Sequence, residues 1–403
     1  MKKVAFVGAS KRSGAFTKVL KENFADRYEI VAVMDIDPGK CRGWLQRDGL
    51  DVPVFSDFDE MCDTVKPDLN IVTTVDAFHA EYIIRSLDRK IGCISEKPLC
   101  ISAEQCKAIR AAQQRNPEVF AATSHNARYS PLTLKVRELL NSGIIGKVIR
   151  MEYTEMLDLR HGPSYFHRWN SRRKFSNGLE LHKSCHHFDK MNFLLNSTAV
   201  SVSADGQLLM YGKNGPRDFE PDAENCSKCS FGKQCQYYFE YNKDLYQSEI
   251  YTPDMCVYSS DVDIEDNFAA IITFANNVMC TYSLCARTSY EGEIINIQGE
   301  TGRLEARSTY ARIKESDDVH DEMVIPDQSL KLYRFGKREC EDIAIPEGKG
   351  SHGGADLGIF SELFSDPVSP ALPTLEDGIQ AVLTGCAAVE SIRTGKKCYI
   401  KDL

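Results

Sequence analysis

The chain has 403 residues, of which 42% are hydrophobic and 27% are charged, a composition that excludes a disordered or fibrous protein. Its 49 basic and 58 acidic residues give a formal net charge of −9, which argues against nucleic acid or an anionic membrane as the main partner. We therefore expect two folded domains, at roughly 100–200 residues each, and a small-molecule ligand.

The N-terminal segment, MKKVAFVGAS, contains only a short apolar run that ends at a glycine and a serine. Such a run is too short for a secretory signal or a membrane-spanning helix, so we expect a cytoplasmic protein with no membrane partner. The 15 cysteines are odd in number and mostly scattered, a pattern that favours reduced thiols over disulfides.

Residues 1–124 alternate short apolar runs with amphipathic stretches. Runs rich in Val and Ile are typical of parallel strands covered by helices on both faces. Ser102, with Gln105 three residues later, predicts the start of one of the intervening helices. This part of the chain is therefore predicted to be a doubly wound α/β domain. The predicted strands are VAFVG, EIVAVMD, LNIVTTV, IGCIS and VFAAT.

Residues 125–403 follow a different pattern. The stretch SPLTLKVRELLNSG predicts a helix that ends at Gly143, and most of the later signals are those of strands. NFAAIITFA and VMCTYSLCA form a predicted hairpin through Asn276 and Asn277, residue types that tolerate the positive φ of a tight turn. Thr374 and Asp377 predict another capped helix. We expect an α+β domain with a largely antiparallel or mixed sheet.

The first predicted strand runs into a glycine-rich turn, VGASKRSG. Gly8, Ser10, Ser13 and Gly14 form a degenerate version of the turn that brings a pyrophosphate close to backbone amides at a helix N-terminus. The second strand ends in Asp35, which lies 21 residues after Gly14, near the spacing of an acid that binds the adenosine ribose. Together these features predict a dinucleotide site.

The surroundings of Asp35 favour NAD over NADP. Its carboxylate would repel a 2′-phosphate, and residues 36–38 are Ile, Asp and Pro where a basic residue would be expected for that phosphate. Arg12 in the turn leaves NADP open as the second choice. An alternative for Asp35 is that it only caps the helix that begins near Pro38.

The stretch IGCISEKPL predicts a buried strand that delivers Glu96, Lys97 and Pro98 to the carboxyl edge of the sheet, where ligands of open α/β folds bind. A lysine at that position does not belong to a hydrophobic core. Its structural alternative is a salt bridge with Glu96 or another acid at the same edge.

At this point the chain resembles the Gfo/Idh/MocA (glucose-fructose oxidoreductase, inositol dehydrogenase and MocA) family of NAD(P)-dependent oxidoreductases. The resemblance follows, in order, the glycine-rich turn, TTVDAFHAEY, the EKP motif, SGIIGKV, the NGLELHKSCHHFD stretch and GETGRLEA. It implies a Rossmann domain followed by a substrate domain with an open sheet that forms dimers or tetramers. It also implies that Lys97 lies beside the nicotinamide and the substrate hydroxyl. The further cofactor-binding residues that it implies are Thr74, Asp76, His79 and Glu96.

The stretch NGLELHKSCHHFD carries three of the nine histidines. The resemblance aligns His186 with a family histidine and puts His182 where the family has an Asp. The spacing of residues 182, 186 and 189 predicts one shared helix face. We assign His186 as base or proton relay, Lys97 as its electrostatic partner and His182 as substrate ligand or second base. A metal site on His182 and His186, or a structural pair, are the alternatives, and His187 is expected to be structural.

The loop SYFHRWNSRRKF runs directly into this stretch and is dense in aromatic and basic residues. Trp169 can stack on a sugar ring, and the basic residues can bind hydroxyls or a carboxylate, although such loops are equally often polar surface. The candidate substrate-binding residues are Tyr129, His167, Arg168 and Trp169. In GSHGGADLGIF, farther along, His352 and Asp356 could reach the same pocket.

A cysteine cluster lies in a predicted insertion at about residues 205–261. The spacing of the four thiols resembles a four-thiolate knuckle, for which we predict structural zinc, with an iron–sulfur cluster or free thiols as alternatives. The last gap is long for such a site. The four predicted ligands are Cys226, Cys229, Cys235 and Cys256.

The sequence thus predicts an NAD-dependent oxidoreductase that acts on a CH–OH group of a sugar, glycoside or cyclitol. One alternative is a redox-neutral cycle in which oxidation, elimination, addition and re-reduction cleave a glycoside. A second alternative is a non-catalytic sensor of sugars or nucleotides, because a fold alone does not determine function.

Overall fold

The computed structural model describes residues 1–240, 248, 250–310, 327–348, 354–365, 368–369 and 371–403. Its helices are α1 Lys11–Asn23, α2 Pro38–Asp48, α3 Phe58–Val65, α4 Asp76–Asp88, α5 Ala103–Arg115, α6 Pro131–Asn141, α7 His161–Ser164, α8 Arg173–Ser176, α9 Leu179–His182 and α10 Cys185–Leu195, followed by two C-terminal helices, Ala355–Leu363 and Leu375–Thr394. Its strands are β1 Lys2–Val7, β2 Tyr28–Met34, β3 Val54–Phe55, β4 Leu69–Val72, β5 Gly92–Ser95, β6 Ala121–Thr123, β7 Val148–Asp158, β8 Ala199–Gln207, β9 Asn267–Phe274, β10 Met279–Thr288, β11 Glu291–Gly299, β12 Gly302–Tyr310, β13 Asp327–Arg334, β14 Glu341–Asp342 and β15 Cys398–Tyr399.

The N-terminal sheet consists, within the described residues, of six parallel strands in the order β3-β2-β1-β4-β5-β6. This is the strand order of a doubly wound dinucleotide-binding sheet, so the predicted fold class of this half is confirmed. The side chains of β1 alternate between the two faces: Val4 and Phe6 pack with α1 and α2, whereas Ala5 and Val7 pack with α3, α4 and α5. Burial on both faces explains the unbroken apolar runs in the sequence.

The second sheet has nine strands in the described part of the chain, in the order β14-β13-β12-β11-β7-β10-β9-β8-β15. β10 pairs with β7 in parallel and the remaining pairs are antiparallel, which confirms the predicted mixed sheet. The predicted hairpin is also present, because β9 and β10 pair around Asn277, whose φ is 65°. One face of the sheet packs against α10 and its neighbours.

The two C-terminal helices return from the second sheet to the N-terminal domain. In the helix Ala355–Leu363, Phe360 packs against Phe16 of α1, with ring centroids 4.7 Å apart. The helix Leu375–Thr394 begins with the predicted capping box of Thr374 and Asp377. Some of its apolar residues enter the core of the parallel sheet and others enter the core of the mixed sheet. This helix therefore ties together the two halves that border the cleft.

No helix among the described residues is long and apolar enough to cross a membrane.

Candidate active site

A large cleft lies between the carboxyl ends of the parallel strands and the mixed sheet with α9 and α10, and its volume is about 1300 Å³. Small-molecule pockets typically measure about 300–1,000 Å³, so this cleft has room for a dinucleotide and a substrate together. The sequence-predicted residues that line it are Ser10, Arg12, Asp35, Thr74, Asp76, His79, Glu96, Lys97, Arg168, Trp169, His182 and His186.

The glycine-rich turn begins at Gly8, which has a φ of 101°. A Cβ there would lie 2.7 Å from the backbone nitrogen of Thr74, so the close approach of the two turns requires glycine. Ser10 caps α1 in a reciprocal capping box with Ser13. Gly14 faces α2 instead of the cleft, because a Cβ at that position would lie 3.1 Å from Asp48. The glycine positions therefore shape the turn, and the N-terminus of α1 borders the cleft.

Asp35 ends its strand with its carboxylate held in the cleft wall. It accepts hydrogen bonds from the backbone N–H groups of Ala9, at 2.7 Å, and Asp37, at 2.9 Å, and its Oδ2 lies 3.2 Å from Lys40 Nζ. The cap of α2 is Asp37, whose side chain accepts from the Lys40 N–H, so the helix-capping alternative for Asp35 is wrong. The N-terminus of α1, the glycine turn and this carboxylate together suit a dinucleotide.

Arg12 points away from Asp35 and toward the EKP strand. Its Nε lies 2.8 Å from Glu96 Oε1, and its Nη1 lies 3.2 Å from Asp356 Oδ1. Burial alone would lower the pKa of Arg12, but the two carboxylates raise it above its ordinary value. Arg12 is therefore engaged at the base of the cleft and is not placed to receive a 2′-phosphate beside Asp35. His352 lies outside the described residues.

Lys97 follows β5 at the floor of the cleft. Its Nζ donates to the carbonyl oxygen of His182 at 3.3 Å, and no ion pair joins it to a carboxylate in the part of the chain that the structure describes. The salt-bridge alternative with Glu96 is therefore wrong. The Glu96 carboxylate pairs with Arg12, and the group of Lys97 that bonds to it is the backbone N–H, at 3.2 Å, not the ammonium. The ammonium group is left to act on a bound ligand.

His79 lies between the EKP motif and the turn after β4, at the carboxyl edge of the parallel sheet. Its Nδ1 lies 2.7 Å from the carbonyl oxygen of Pro98, and its Nε2 lies 3.0 Å from the carbonyl oxygen of Thr74. The buried ring thus fixes the EKP turn relative to the turn after β4. His79 acts on the site through backbone positions.

The predicted single helix through the three histidines is wrong. α9 ends at His182 and α10 begins at Cys185. The N–H groups of both Lys183 and Ser184 bond to the carbonyl of Leu179, so the chain widens by one residue and the helix restarts. Residues 182, 186 and 189 therefore do not share one helix face, although two of them still reach the same cleft.

His182 is hydrogen-bonded at both ring nitrogens. Its Nδ1 lies 2.6 Å from Asp76 Oδ2, and its Nε2 accepts from Asn170 Nδ2 at 2.9 Å. Burial, and then the charge of Lys97, hold the pKa of His182 well below its ordinary value. Burial raises the pKa of the Asp76 carboxyl to about 7, against the opposing charges of His79 and Lys97.

His186 is the histidine whose ring is left available to a ligand. It lines the cleft, and its Nδ1 has no hydrogen-bond partner among the described residues. Burial and the charge of Lys97 hold the pKa of His186 well below its ordinary value. The ring is therefore neutral at physiological pH and able to accept a proton.

Two other polar residues of α10, His187 and Asp189, are engaged by protein groups. His187 Nδ1 bonds to the Tyr282 hydroxyl at 2.7 Å, and its Nε2 lies 3.5 Å from Glu155. Asp189 is fully buried and forms two bonds of 2.6 Å to Arg128, away from the cleft. The structural role expected for His187 agrees with these contacts.

Two candidate substrate residues from the sequence do not reach the cleft. The Tyr129 hydroxyl donates to the carbonyl of Ala371 at 2.9 Å, in the core beside the helix Ala355–Leu363. His167 is buried, with its Nδ1 2.7 Å from the carbonyl oxygen of Met255. An aromatic or basic residue near a motif gives no indication of which way its side chain points, and here both side chains turn into the protein. Arg168 and Trp169 do line the cleft.

The sequence analysis did not predict a chain of three hydrogen-bonded side chains that line the cleft, those of Tyr165, His161 and Glu291. The Tyr165 hydroxyl lies 2.8 Å from His161 Nε2, and His161 Nδ1 lies 2.7 Å from Glu291 Oε1. Burial lowers the pKa of His161, so its neutral ring can accept from the phenol and donate to the carboxylate. Tyr165 belongs to the polar loop singled out above and His161 lies three residues before that loop begins, but nothing local links them to Glu291 in β11.

A buried ion pair in the same wall was also missed. Glu155 of β7 lies 3.1 Å from Lys183, and the charges of Lys183 and His187 hold the pKa of Glu155 below its ordinary value although burial alone would raise it. The alternation of residues in β7 could have indicated this pair. Met151, Tyr153 and Glu155 lie on the core face of the strand, where a charged residue is exceptional.

The four cysteines of the insertion line one small void of about 20 Å³ together with His167. Within the described residues, no group of three or more His, Cys, Asp or Glu side chains is arranged to hold a metal ion. The predicted zinc site therefore receives no support from the structure. The insertion also contacts the cofactor side of the cleft, because the Ser248 hydroxyl donates to Asp37 at 2.5 Å.

Two family models match the chain. The model described as the NAD-binding Rossmann fold of an oxidoreductase family matches residues 2–124, and the C-terminal alpha/beta domain of an oxidoreductase family matches residues 137–401. YteT of Bacillus subtilis (strain 168), named as a candidate oxidoreductase, is 31% identical over 434 residues, covering 100% of this chain and 99% of YteT.

Two other similarities span about half of each protein. The inositol 2-dehydrogenase/D-chiro-inositol 3-dehydrogenase of Lactiplantibacillus plantarum is 22% identical over 174 residues, 43% of this chain and 47% of the relative. The 2,7-anhydro-N-acetylneuraminate hydratase of Mediterraneibacter gnavus is 26% identical over 207 residues, 50% of this chain and 51% of the relative. The structure of apo scyllo-inositol dehydrogenase from Lactobacillus casei matches 100% of this chain and 98% of its own, with a TM-score of 0.67 at 15% identity, which shows a shared fold.

Proposed function

The chain belongs to the Gfo/Idh/MocA family of oxidoreductases, and on that premise we propose that it is an NAD-dependent dehydrogenase that oxidises a CH–OH group of a sugar, glycoside or cyclitol. The observation that carries the proposal is the position of Lys97 and His186 in the same cleft as the dinucleotide turn. The similarity to inositol dehydrogenases supports the substrate class.

When bound, the nicotinamide supplies the hydride acceptor. His186 takes the hydroxyl proton, because its ring is neutral and its nitrogens are not committed to the described protein groups. Lys97 donates to the substrate oxygen and stabilises the negative charge that develops on it.

In this proposal His182 is a positioning residue. Its carbonyl oxygen accepts from Lys97 Nζ at 3.3 Å, while its ring is held between Asp76 and Asn170. Because both ring nitrogens of His182 are engaged, we assign it no proton transfer. Its role is to hold Lys97 in position against the substrate.

NAD is the proposed cofactor in preference to NADP. The Asp35 carboxylate is held by two backbone N–H groups and by Lys40, and the next side chain, Ile36, is 66% exposed and apolar. Arg12 is occupied by Glu96 and Asp356. A 2′-phosphate would meet the Asp35 carboxylate and the apolar Ile36 side chain, and Lys40, the cation beside them, is already paired with Asp35.

The test is to incubate the purified protein with NAD and a panel of free sugars, cyclitols and aryl glycosides while NADH absorbance is recorded. We expect NADH formation with at least one cyclic polyol and a loss of at least about 10³-fold in Lys97→Met, with NAD binding retained. Lys135→Met, at an exposed pair with Glu138 on α6, is the matched control and retains full activity. Unchanged turnover in Lys97→Met would refute the assignment.

A second candidate function is the redox-neutral cleavage of a glycoside. The observation that favours it is the hydrogen-bonded chain of Tyr165, His161 and Glu291, which offers a second proton-handling group in the same cleft as His186. NAD, when bound, would accept the hydride from a ring CH–OH, and the resulting carbonyl would acidify the adjacent C–H bond. Loss of that proton would expel the glycosidic oxygen, which leaves as the alcohol after protonation. Water would then add to the double bond, and NADH would return the hydride to the carbonyl. The similarity to an anhydro-sugar hydratase is consistent with such chemistry. Aglycone release without net NADH would support it, whereas NADH accumulation supports the dehydrogenase.

We also propose that the chain forms a homo-oligomer through the outer face of its mixed sheet. Apolar side chains on that face are about half exposed, namely Ile149, Ile271 and Met279. Light scattering on the purified protein tests this, and a monomer at micromolar concentration would contradict it. Structural zinc is not part of the proposal, because the described residues contain no arrangement that would hold a metal.

A further inference from the structure

One arginine that lines the cleft, Arg168, has no acidic partner among the described residues. Arg168 Nε donates to the carbonyl of Ser164 at 2.7 Å, and its Nη2 donates to the Ser164 hydroxyl at 3.2 Å. These two bonds use one side of the guanidinium and leave three of its five N–H groups without a partner among the described residues. Ser164 of α7 therefore holds the Nε side of the guanidinium, and the Nη1 and Nη2 edge (called the fork below) remains available to a ligand in the cleft.

Within the described part of the chain, the carboxylates that line this region of the cleft are paired with other groups. Each acid that lines this part of the cleft already has a cationic or imidazole partner. The pairs are Glu96 with Arg12 at 2.8 Å, Asp76 with His182 at 2.6 Å, Glu155 with Lys183 at 3.1 Å, Glu291 with His161 at 2.7 Å and Glu293 with Lys190 at 2.6 Å. Arg172, the other arginine of the loop that the cleft exposes, is paired with Asp261 at 2.5 Å.

Arg168 also lies close to the proposed chemistry. Its guanidinium is 5.7 Å from the centre of the Tyr165 ring, and that ring stands 5.5 Å from the ring of His182. The charge of Arg168 is among the causes that lower the pKa of His182. Arg168 is thus separated from His182 by one aromatic ring, and the neighbouring Trp169 also contacts His182, with ring centroids 5.4 Å apart.

We infer that the substrate carries a carboxylate, so that the enzyme acts on an acidic carbohydrate such as a uronic or aldonic acid, with Arg168 as its anchor. This inference rests on the proposed function. The planar Nη1 and Nη2 edge matches the two oxygens of one carboxylate. A phosphate dianion would leave a second charge that this single fork does not neutralise.

The experiment measures dissociation constants by calorimetry with the NAD-saturated protein at one ionic strength. The probes are D-glucuronate and D-galacturonate, their neutral parents D-glucose and D-galactose, and D-glucose 6-phosphate. We expect at least one carboxylate to bind about 10- to 100-fold more tightly than its parent. Arg168→Gln reduces that preference to less than about threefold, and Arg168→Lys restores only part of it because it retains the charge without the fork. The matched control is Arg110→Gln, which removes the same charge at an exposed pair with Glu376.

Three results would overturn the inference: equal binding of carboxylate and parent sugar, tighter binding of the sugar phosphate, or no carboxylate binding at millimolar concentration. NAD affinity and the midpoint of thermal unfolding of Arg168→Gln should equal those of the unchanged protein. The two proposals fail separately. If neutral sugars support NADH formation and acids are not preferred, only the proposal of a carboxylate-bearing substrate is refuted. If an acid binds in an Arg168-dependent way without NADH formation, only the proposal of a dehydrogenase is refuted.

Discussion

Asp76 and His182 meet across the cleft, with Asp76 Oδ2 2.6 Å from His182 Nδ1. The first residue begins the helix after β4 of the parallel sheet, and the second ends α9 beside the mixed sheet. Because the His182 carbonyl also accepts from Lys97, one histidine links the acid and the lysine of the N-terminal domain to the substrate side. The position of Lys97 therefore depends on both halves of the molecule.

Asp76→Asn should remove an acidic limb from the pH profile. Burial raises the pKa of Asp76 to about 7, so the carboxylate that holds His182 forms as the pH rises through about 7. We expect kcat/KM of the unchanged protein to rise across that range and that of Asp76→Asn to be about tenfold lower and flat there. The charged or titratable groups that face Asp76 are His79, Glu96, Lys97 and His182. Persistence of the limb in the variant would assign it to one of them.

His186→Gln should lower kcat by about 10²- to 10⁴-fold with little change in NAD affinity, since it removes the proposed proton acceptor and leaves the dinucleotide turn intact. Single-turnover measurement of NADH formation gives the rate. His187→Gln is the neighbouring comparison: it breaks the bond to Tyr282, so it should lower the temperature of unfolding more than the rate per folded molecule. A rate in His186→Gln within about threefold of the original would exclude His186 as the base.

The combination Asp35→Ser and Ile36→Arg should shift the cofactor preference toward NADP. It removes a carboxylate that repels the 2′-phosphate and adds a cation at an exposed position. The ratio of kcat/KM for NADP over NAD should increase at least about tenfold. Ile36→Arg alone should have a much smaller effect because Asp35 remains. A preference of the unchanged protein for NADP would contradict the prediction at the outset.

Arg128→Leu should destabilise the protein by about 3–5 kcal/mol, because it leaves the fully buried Asp189 carboxylate without its partner. The midpoint of urea unfolding measures the effect. Adding Asp189→Leu should recover much of the loss, since two apolar side chains then replace the pair. If the double variant were as unstable as Arg128→Leu, packing and not the unpaired charge would be the cause.

Local patterns in the sequence were sufficient to predict the secondary structure of the domain that carries the proposed cofactor site. The apolar runs of the first domain predicted parallel strands because each is covered on both faces, and the structure has them in the doubly wound order. The turn at Gly8 and the acid Asp35 follow directly from this pattern, since both lie at ends of adjacent strands. The capping pair of Thr374 and Asp377 was equally local and is present.

The prediction of one helix through residues 182–189 was wrong because it extended the helical spacing across the break between α9 and α10. Residues 182, 186 and 189 have the spacing of one helix face, but the bond from the Ser184 N–H to the Leu179 carbonyl interrupts the helix between the first two. Periodicity describes an uninterrupted helix and carries no information about where one restarts. Asp189 consequently pairs with Arg128 in the core.

The parallel sheet, the glycine-rich turn, the lysine at the strand end and the histidine-rich stretch could be predicted from local sequence, because each depends on residues adjacent in the chain. The surroundings of those side chains could not, because they depend on how distant segments pack. In the structure His182 is bonded to Asp76 and Asn170, His186 lines the cleft, and Tyr129 and His167 point into the protein. The guanidinium of Arg168 has no carboxylate partner in the part of the chain that is described. These relationships join residues far apart in the sequence, and they arise from the packing of α9, α10 and the C-terminal helices between two sheets.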